Sequence, residues 1–199
     1  MIIYVTKKTF ERYKFKVPKD FSDPIGGAIA NAVLQRESED RLLEWGGKLF
    51  YFDRRKCLQV VNFASKLTYV LVDIKMDDRE HIGNIIANYM FELYKENKKM
   101  TRLLKRLFEE HPAVCFSRLK DKSAIATLNH TQTDYLLDGY RLGYYIRDGI
   151  LHTVELNNEI NRKWLFTQKI NGKSEYIYPA ERFEQLLCER YGEKYGRKY

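Results

Sequence analysis

Three consecutive β-prone runs constrain the fold more than any other part of the chain. Residues 48–53, 57–63 and 67–74 are rich in Phe, Tyr, Val, Leu and Ile, and short polar breaks separate them. Runs of this composition between polar breaks are typical of strands. The segment is therefore predicted to form a β-meander.

A pair of amphipathic helices is predicted directly after the meander. Apolar residues recur every three or four positions across residues 82–93, and Asp77 and Asp78 stand where an N-terminal capping residue is needed. The same period returns after Asn97 and is ended by Pro112, which cannot continue a helix.

Shorter elements are predicted on both sides of this region. Residues 2–6 are β-prone, and residues 28–43 carry a weak helical pattern. Residues 114–120 and 123–128 are predicted as two more strands around Asp121-Lys122.

Two hairpins are predicted in the last third of the chain. Asp148-Gly149 and Asn171-Gly172 each lie between β-prone runs, and such dipeptides accept the positive φ angles of tight hairpin turns. The flanking runs predict four antiparallel strands. Pro179 then suits the first turn of a terminal helix.

These elements predict an α+β fold, because strands and helices are segregated instead of alternating regularly. The expected architecture is a mostly antiparallel sheet packed on the helical pair, followed by a C-terminal β-hairpin unit and a terminal helix. Gly139 and Gly143 make residues 129–143 the best boundary. We therefore predict an α+β domain at residues 1–135 and a hairpin extension at residues 136–199, although the two could also form one continuous domain.

Charge narrows the class of partner. The chain of 199 residues has 35 Lys and Arg against 27 Asp and Glu, which gives a formal net charge of +8. A basic chain favours acidic partners. Nucleic acid is therefore the first partner to consider.

The sequence also favours a cytoplasmic location and no contact with membranes. No apolar run reaches the roughly 18 residues that a membrane span needs, and the start lacks the pattern of a signal peptide. Cys57, Cys115 and Cys188 are odd in number and far apart, which does not suit a disulfide framework. We expect them to be small buried side chains.

Four short patterns resemble a known family. They are the start Met-Ile-Ile-Tyr-Val-Thr-Lys-Lys at residues 1–8, the Trp-led strand that runs into Asp-Arg-Arg-Lys at residues 45–56, the Val-Val-Asn at residues 60–62, and the segment from Cys115 to Asn129. Together they resemble an uncharacterised bacterial domain family of unknown function over roughly residues 1–130.

The chain departs from that family at two positions. Asp53 stands where the family usually has Asn, and Lys122 stands where it usually has Arg. The resemblance implies a bacterial cytoplasmic protein, but it brings no accepted activity and no catalytic residue.

Two basic clusters are candidate nucleic-acid contacts. One lies at a predicted hairpin tip, and the other lies along one side of the second helix at spacings i, i+1, i+4, i+7 and i+8, opposite its apolar side. Each cluster could equally be a solvated surface, namely an ordinary charged turn and the exposed side of an amphipathic helix. The candidate residues are Arg54, Arg55 and Lys56 at the tip, and Lys98, Lys99, Arg102, Lys105 and Arg106 on the helix.

A catalytic alternative rests on Arg106 and His111. Their Arg-x4-His spacing matches a helical ribonuclease superfamily, in which Arg stabilises phosphate charge and His moves a proton. The predicted strands and Pro112 argue against that architecture. No metal-ligand spacing and no phosphate-binding or dinucleotide-binding glycine motif occurs, so we expect neither a metal nor a cofactor.

Three functions follow as hypotheses. The leading one is a non-enzymatic protein that binds nucleic acid or another acidic macromolecule through the two basic clusters. The second is a protein-interaction module from a mobile-element or phage-defence setting, whose C-terminal strand edges pair with a partner. The third is a ribonuclease-like toxin that uses Arg106 and His111. The oligomeric state is left open.

Overall fold

The computed structural model describes residues 1–195, with the backbone alone described at residues 139 and 140. The last four residues of the predicted hairpin extension, 196–199, lie outside the described residues. Within residues 1–195 the α-helices are α1 (Lys7–Tyr13), α2 (Pro24–Glu37), α3 (Ile82–Leu93), α4 (Lys98–Glu110), α5 (Lys122–His130), α6 (Thr153–Lys163) and α7 (Pro179–Arg190). The strands are β1 (Ile2–Val5), β2 (Glu44–Phe52), β3 (Arg55–Asn62), β4 (Thr68–Val72), β5 (Cys115–Arg118), β6 (Ile146–Arg147), β7 (Ile150–Leu151), β8 (Phe166–Ile170) and β9 (Lys173–Ile177).

One five-stranded sheet, in the order β4-β3-β2-β1-β5, forms the centre of the molecule. β2, β3 and β4 are the predicted antiparallel meander, with Leu49 opposite Leu58 and Leu58 opposite Leu71. β1 is parallel to both of its neighbours. Two separate hairpins, β6–β7 and β8–β9, accompany the sheet, so the α+β fold and its mostly antiparallel pairing are confirmed.

Helices cover both faces of this sheet. Because successive strand residues point to opposite faces, Leu58 joins a core with α1, α3, α4 and α7, whereas its neighbour Cys57 joins a core with α6 and β8. α2 packs on the same face as Cys57, over β1 and β5. The predicted packing of the sheet on the helical pair therefore describes one of two covered faces.

The predicted strand at residues 123–128 is wrong, because these residues lie in α5. The Asp121 carboxylate accepts hydrogen bonds from the Ser123 and Ala124 amides at 2.8 and 3.3 Å, which caps the helix. Ala124 and Leu128, one helical turn apart, are its buried residues. A short apolar run fits a strand or a helix equally well, and the cap decides between them.

Two predicted helix starts are also corrected. Asp23 caps α2, which begins at Pro24, and residues 38–43 lie beyond its end. Asp77 and Asp78 do not cap α3, because they belong to a 3₁₀ turn that precedes it. Asp78 instead accepts a hydrogen bond from the Lys75 amide at 2.8 Å.

The hairpin turns lie where they are predicted. Asp148 and Gly149 have φ of 51° and 73°, and Asn171 and Gly172 have φ of 50° and 80°. The four strands nevertheless form two separate pairs, because α6 lies between them. That helix was not predicted. Its buried residues include two polar ones, Asn157 and Asn161, which interrupt an apolar pattern.

These two asparagines close one edge of the sheet. Asn161 accepts the Thr68 N–H at 2.7 Å and donates to the Thr68 carbonyl at 2.7 Å. Asn157 does the same for Val70, at 2.8 and 3.2 Å. The side-chain amides thus take the place of a further strand beside β4. They also join α6, a helix of the predicted extension, to the meander. The division of the chain into two domains near residue 135 stays a prediction.

Candidate anion-binding groove

The hairpin-tip cluster lies at the turn between β2 and β3. Asp53 and Arg54 form that turn, with φ of 46° and 60°. The Arg55 guanidinium binds the Asp53 carboxylate and donates to the Gly149 carbonyl of the β6–β7 turn. Arg54 is exposed and Lys56 is half-buried. Arg55 therefore braces two turns against each other, and Arg54 is the member most open to solvent.

The helix cluster lies on α4, as predicted, and carboxylates neutralise most of it. Asn97 caps the helix by accepting the Met100 amide at 3.1 Å. Three of the five basic side chains make ion pairs, which are Lys99 with Glu184 at 3.5 Å, Arg102 with Glu193 at 2.6 Å and Arg106 with Glu110 at 2.9 Å. No hydrogen bond or ion pair among residues 1–195 links this cluster to the hairpin tip.

Arg106 and His111 have different partners. The Arg106 guanidinium lies 4.3 Å from the centre of the Tyr191 ring, whereas His111 Nδ1 lies 2.9 Å from a carboxylate oxygen of Glu37. Glu37 is fully buried and also binds the ammonium of Met1. His111 thus belongs to a buried charge cluster that joins α2 to the end of α4.

A concave basic surface, which we call the basic groove, lies elsewhere on the molecule. It consists of two adjoining cavities of about 540 and 420 Å³ that share Arg41, Phe63 and Asp121. The turn between β3 and β4, the start of α5, β8 and α7 contribute its walls. Its cationic residues are Arg41, Lys66, Arg118, Lys120, Lys169 and Arg182, and its carboxylates are Glu39, Glu44 and Asp121.

Arg41 lies at the junction of the two cavities, and its charge is balanced. Its guanidinium is 3.3 Å from Glu44, 3.5 Å from Asp121 and 5.5 Å from the centre of the Phe63 ring. Glu44 is buried and accepts hydrogen bonds from the Tyr4 hydroxyl and the Glu39 amide, both at 3.1 Å. This network fixes the floor of the groove.

Lys66 enters the groove from a turn that Asn62 organises. The side-chain Oδ1 of Asn62 accepts hydrogen bonds from the Ala64 and Ser65 amides at 3.1 and 3.0 Å, and Lys66 follows with a φ of 62°. Its ammonium donates to the Thr127 hydroxyl at 3.4 Å. Burial lowers the pKa of Lys66, and the positive charge of Arg41 lowers it further. An anion at this site would favour the charged ammonium and so oppose this lowering of the pKa.

Arg182 and Gln168 place unpaired polar atoms in the same cavity as Lys66. Arg182 donates to Gln185 at 2.9 Å, and Gln168 donates to the Ala64 carbonyl at 2.7 Å. The Arg182 Nε and the Gln168 Oε1 are buried, and neither has a hydrogen-bond partner among the described residues. Such atoms are uncommon in native proteins and call for a partner such as a ligand or water.

The larger cavity therefore carries uncompensated positive charge. Within residues 1–195, no carboxylate lies within ion-pair distance of Lys66, Lys169 or Arg182. The hydroxyl groups of Ser123, Thr127 and Thr167 line the same space. Cations together with hydroxyl donors are the groups that proteins present to phosphate oxygens.

Part of this wall belongs to the segment that carries the family resemblance, since Asp121, Ser123 and Thr127 lie within residues 115–129. A family model described as Domain of unknown function (DUF6933) matches residues 2–182. The chain belongs to the DUF6933 family. The DUF6933 match extends beyond residue 130, where the resemblance ended, and includes every charged residue of the basic groove. No curated protein matches the chain.

Two further observations concern the described part of this DUF6933 chain. None of its helices combines the length and apolar character that crossing a bilayer requires. In residues 1–195, no three His, Cys, Asp or Glu side chains gather in a way that could hold a metal ion.

Proposed function

We propose that this DUF6933 protein binds nucleic acid, with phosphates of the backbone held in the basic groove. The observation that carries the proposal is a set of three cations, Lys66, Lys169 and Arg182, in one concave space lined by hydroxyl groups. None of the three has a carboxylate partner in the described part of the chain. The formal charge of +8 supports an acidic ligand.

The form of the groove favours a polymer over a single small anion. The larger cavity continues past Arg41 into the second cavity, which adds Arg118 and Lys120. Six cations against three carboxylates leave a net charge of +3, which lies in the larger cavity, because the second cavity is lined by three cations and three carboxylates. A chain of phosphates could therefore be contacted at several points, and each contact would release counterions.

This proposal keeps the predicted type of ligand and moves its main binding surface. The α4 cluster is less suited to phosphate, because Lys99, Arg102 and Arg106 already have carboxylate partners. Lys98 and Lys105 are exposed on the same helix. They provide a matched control, since replacing them removes the same charge outside the groove.

The proposal predicts different effects for the two pairs of lysines. Replacing Lys66 and Lys169 with Gln will weaken binding to single-stranded RNA or duplex DNA about tenfold or more, and it will reduce the slope of log affinity against log salt by about 1.5. Replacing Lys98 and Lys105 with Gln removes the same charge and will change the affinity about twofold at most, because only long-range attraction is lost. Fluorescence anisotropy over a salt series measures both quantities.

Three results would contradict the proposal. Equal losses for the two variants would place the ligand on α4 or on no defined surface. Absence of binding by the wild-type protein at low salt would remove nucleic acid as the ligand. Cleaved RNA on a gel after the titration, with cleavage lost in His111→Ala, would instead support the ribonuclease hypothesis.

A further inference from the structure

The two edges of the central sheet differ in whether their outer main-chain groups have hydrogen-bond partners. The outer edge of β4 is closed by the amides of Asn157 and Asn161. At the other end of the sheet, no strand formed by residues 1–195 lies beyond β5. An uncovered edge presents main-chain donors and acceptors to any extended chain that reaches it.

The pairing of β5 with β1 shows which groups are free. The Cys115 and Leu119 amides donate to the Met1 and Val5 carbonyls at 3.0 and 2.9 Å, so alternate residues from Cys115 onward direct their main chain toward β1. Phe116 and Arg118 therefore direct their N–H and C=O groups away from the sheet. These are the groups that an added strand would use.

A groove of about 300 Å³ runs along this edge. Its apolar lining comes from both faces of the sheet, because Phe15 and Phe116 stack on one face and Ala30 and Val33 pack with Cys115 on the other. Exposed Ile29 of α2 extends the apolar wall. An added strand would thus find apolar surface for consecutive side chains, since successive residues point to opposite faces.

The charge at the rim of this groove indicates which residues would flank the apolar part of a chain bound there. Lys16 and Arg79 line the groove, and Arg118 lies at the end of β5. Lys16 and Arg118 have no carboxylate within ion-pair distance among the described residues, whereas Arg79 lies 3.9 Å from Glu80. The rim is therefore net positive and suits carboxylates that flank an apolar segment.

We infer that the free edge of β5 binds an extended acidic peptide segment of a partner protein by strand addition. The segment has a short run of apolar residues, which lie in the groove, and acidic residues beside that run, which meet Lys16, Arg79 and Arg118. Main-chain bonds to Phe116 and Arg118 provide the attachment, and the apolar groove provides selectivity. This site shares Arg118 with the second cavity of the basic groove, but its apolar lining is distinct, and the inference does not depend on the proposed function.

The test uses blocked peptides in which four varied apolar residues (Val, Ile, Leu or Phe) lie between two glutamates. The best peptides are expected to slow amide hydrogen exchange at Phe116 and Arg118 about tenfold or more in the intact protein, as measured by NMR. Methylation of alternate peptide nitrogens is expected to abolish binding in one register and to spare it in the other, because only one set of amides faces β5.

Arg118→Pro provides a variant test, since proline removes the outward N–H without touching the bonds to β1. It is expected to abolish peptide binding, whereas Arg118→Ala keeps the N–H and is expected to weaken binding only a few-fold. If Arg118→Pro fails to fold, the methylated peptides still decide the question on the wild-type protein.

Several outcomes would overturn the inference. These are no binding by any peptide of the set, binding that is indifferent to methylation, and equal binding when lysines replace the glutamates. Protection of Phe116 and Arg118 that rises with protein concentration alone would identify a second copy of this chain as the occupant.

Discussion

Replacing both Asn157 and Asn161 with alanine will lower the free energy of unfolding by about 4 kcal/mol. The double variant leaves four main-chain groups of Thr68 and Val70 without partners, and each unpaired buried group costs about 1 kcal/mol or more. Urea denaturation followed by circular dichroism measures the change. The exposed edge is also expected to promote association between molecules.

Asn158 provides the control for this prediction. It lies on the same helix, is only half-buried and lines a surface cavity. Replacing it with alanine will change stability by about 0.5 kcal/mol at most. If the double variant lost less than about 1 kcal/mol, the β4 edge would be satisfied by water, and the asparagines would not be needed to close it.

Replacing Glu37 with glutamine will lower the free energy of unfolding by about 3 kcal/mol at pH 7. The fully buried carboxylate binds the Met1 ammonium, Arg36 and His111, and its removal leaves the buried Met1 ammonium without its counter-charge. Burial by itself raises the pKa of the Glu37 carboxyl. The hydrogen bonds from its three partners outweigh burial, so the pKa lies below its ordinary value of 4.5.

The sign of the pH dependence follows from that direction. Because the pKa of Glu37 is lower in the folded state, its contribution is fully present above pH 4.5 and is lost as the pH falls through the folded-state value. The stability difference between wild type and Glu37→Gln will therefore shrink below about pH 4.5. Glu11, in an exposed pair with Lys7 at 4.0 Å, is the control. Glu11→Gln will cost about 0.5 kcal/mol at most, and an equal loss in both variants would exclude a special role for Glu37.

The elements with local signals were predictable from the sequence. The meander has β-prone runs between polar breaks, α4 has a capping Asn97 and a strict apolar period, and Asn171-Gly172 specifies its own turn. Helix α6 lacks such a signal. Its buried asparagines bond to residues 87 and 93 positions away. Unless such a partner is known, a polar residue at an apolar position of the helical pattern argues against an amphipathic helix.

Partners that are distant in sequence also explain why the basic groove was not predicted. The basic residues from Lys98 to Arg106 stand out because they are close in sequence. Two of them, Lys99 and Arg102, are paired in the fold with Glu184 and Glu193, which are distant in sequence. Lys66, Lys169 and Arg182 are isolated in sequence and come together only in the fold. The resemblance at residues 115–129 covers Asp121, Ser123 and Thr127 of this groove, but it implied no functional residue there.

The asparagine closure of β4 also sets an order of events during synthesis. Thr68 and Val70 leave the ribosome 93 and 87 residues before the side chains that cover them. At about 5 to 20 residues per second, the outer backbone of β4 stays open for roughly 5 to 20 s. The outer backbone of the nascent meander is therefore left without these partners until α6 emerges, and the β4 edge of the sheet is closed only then.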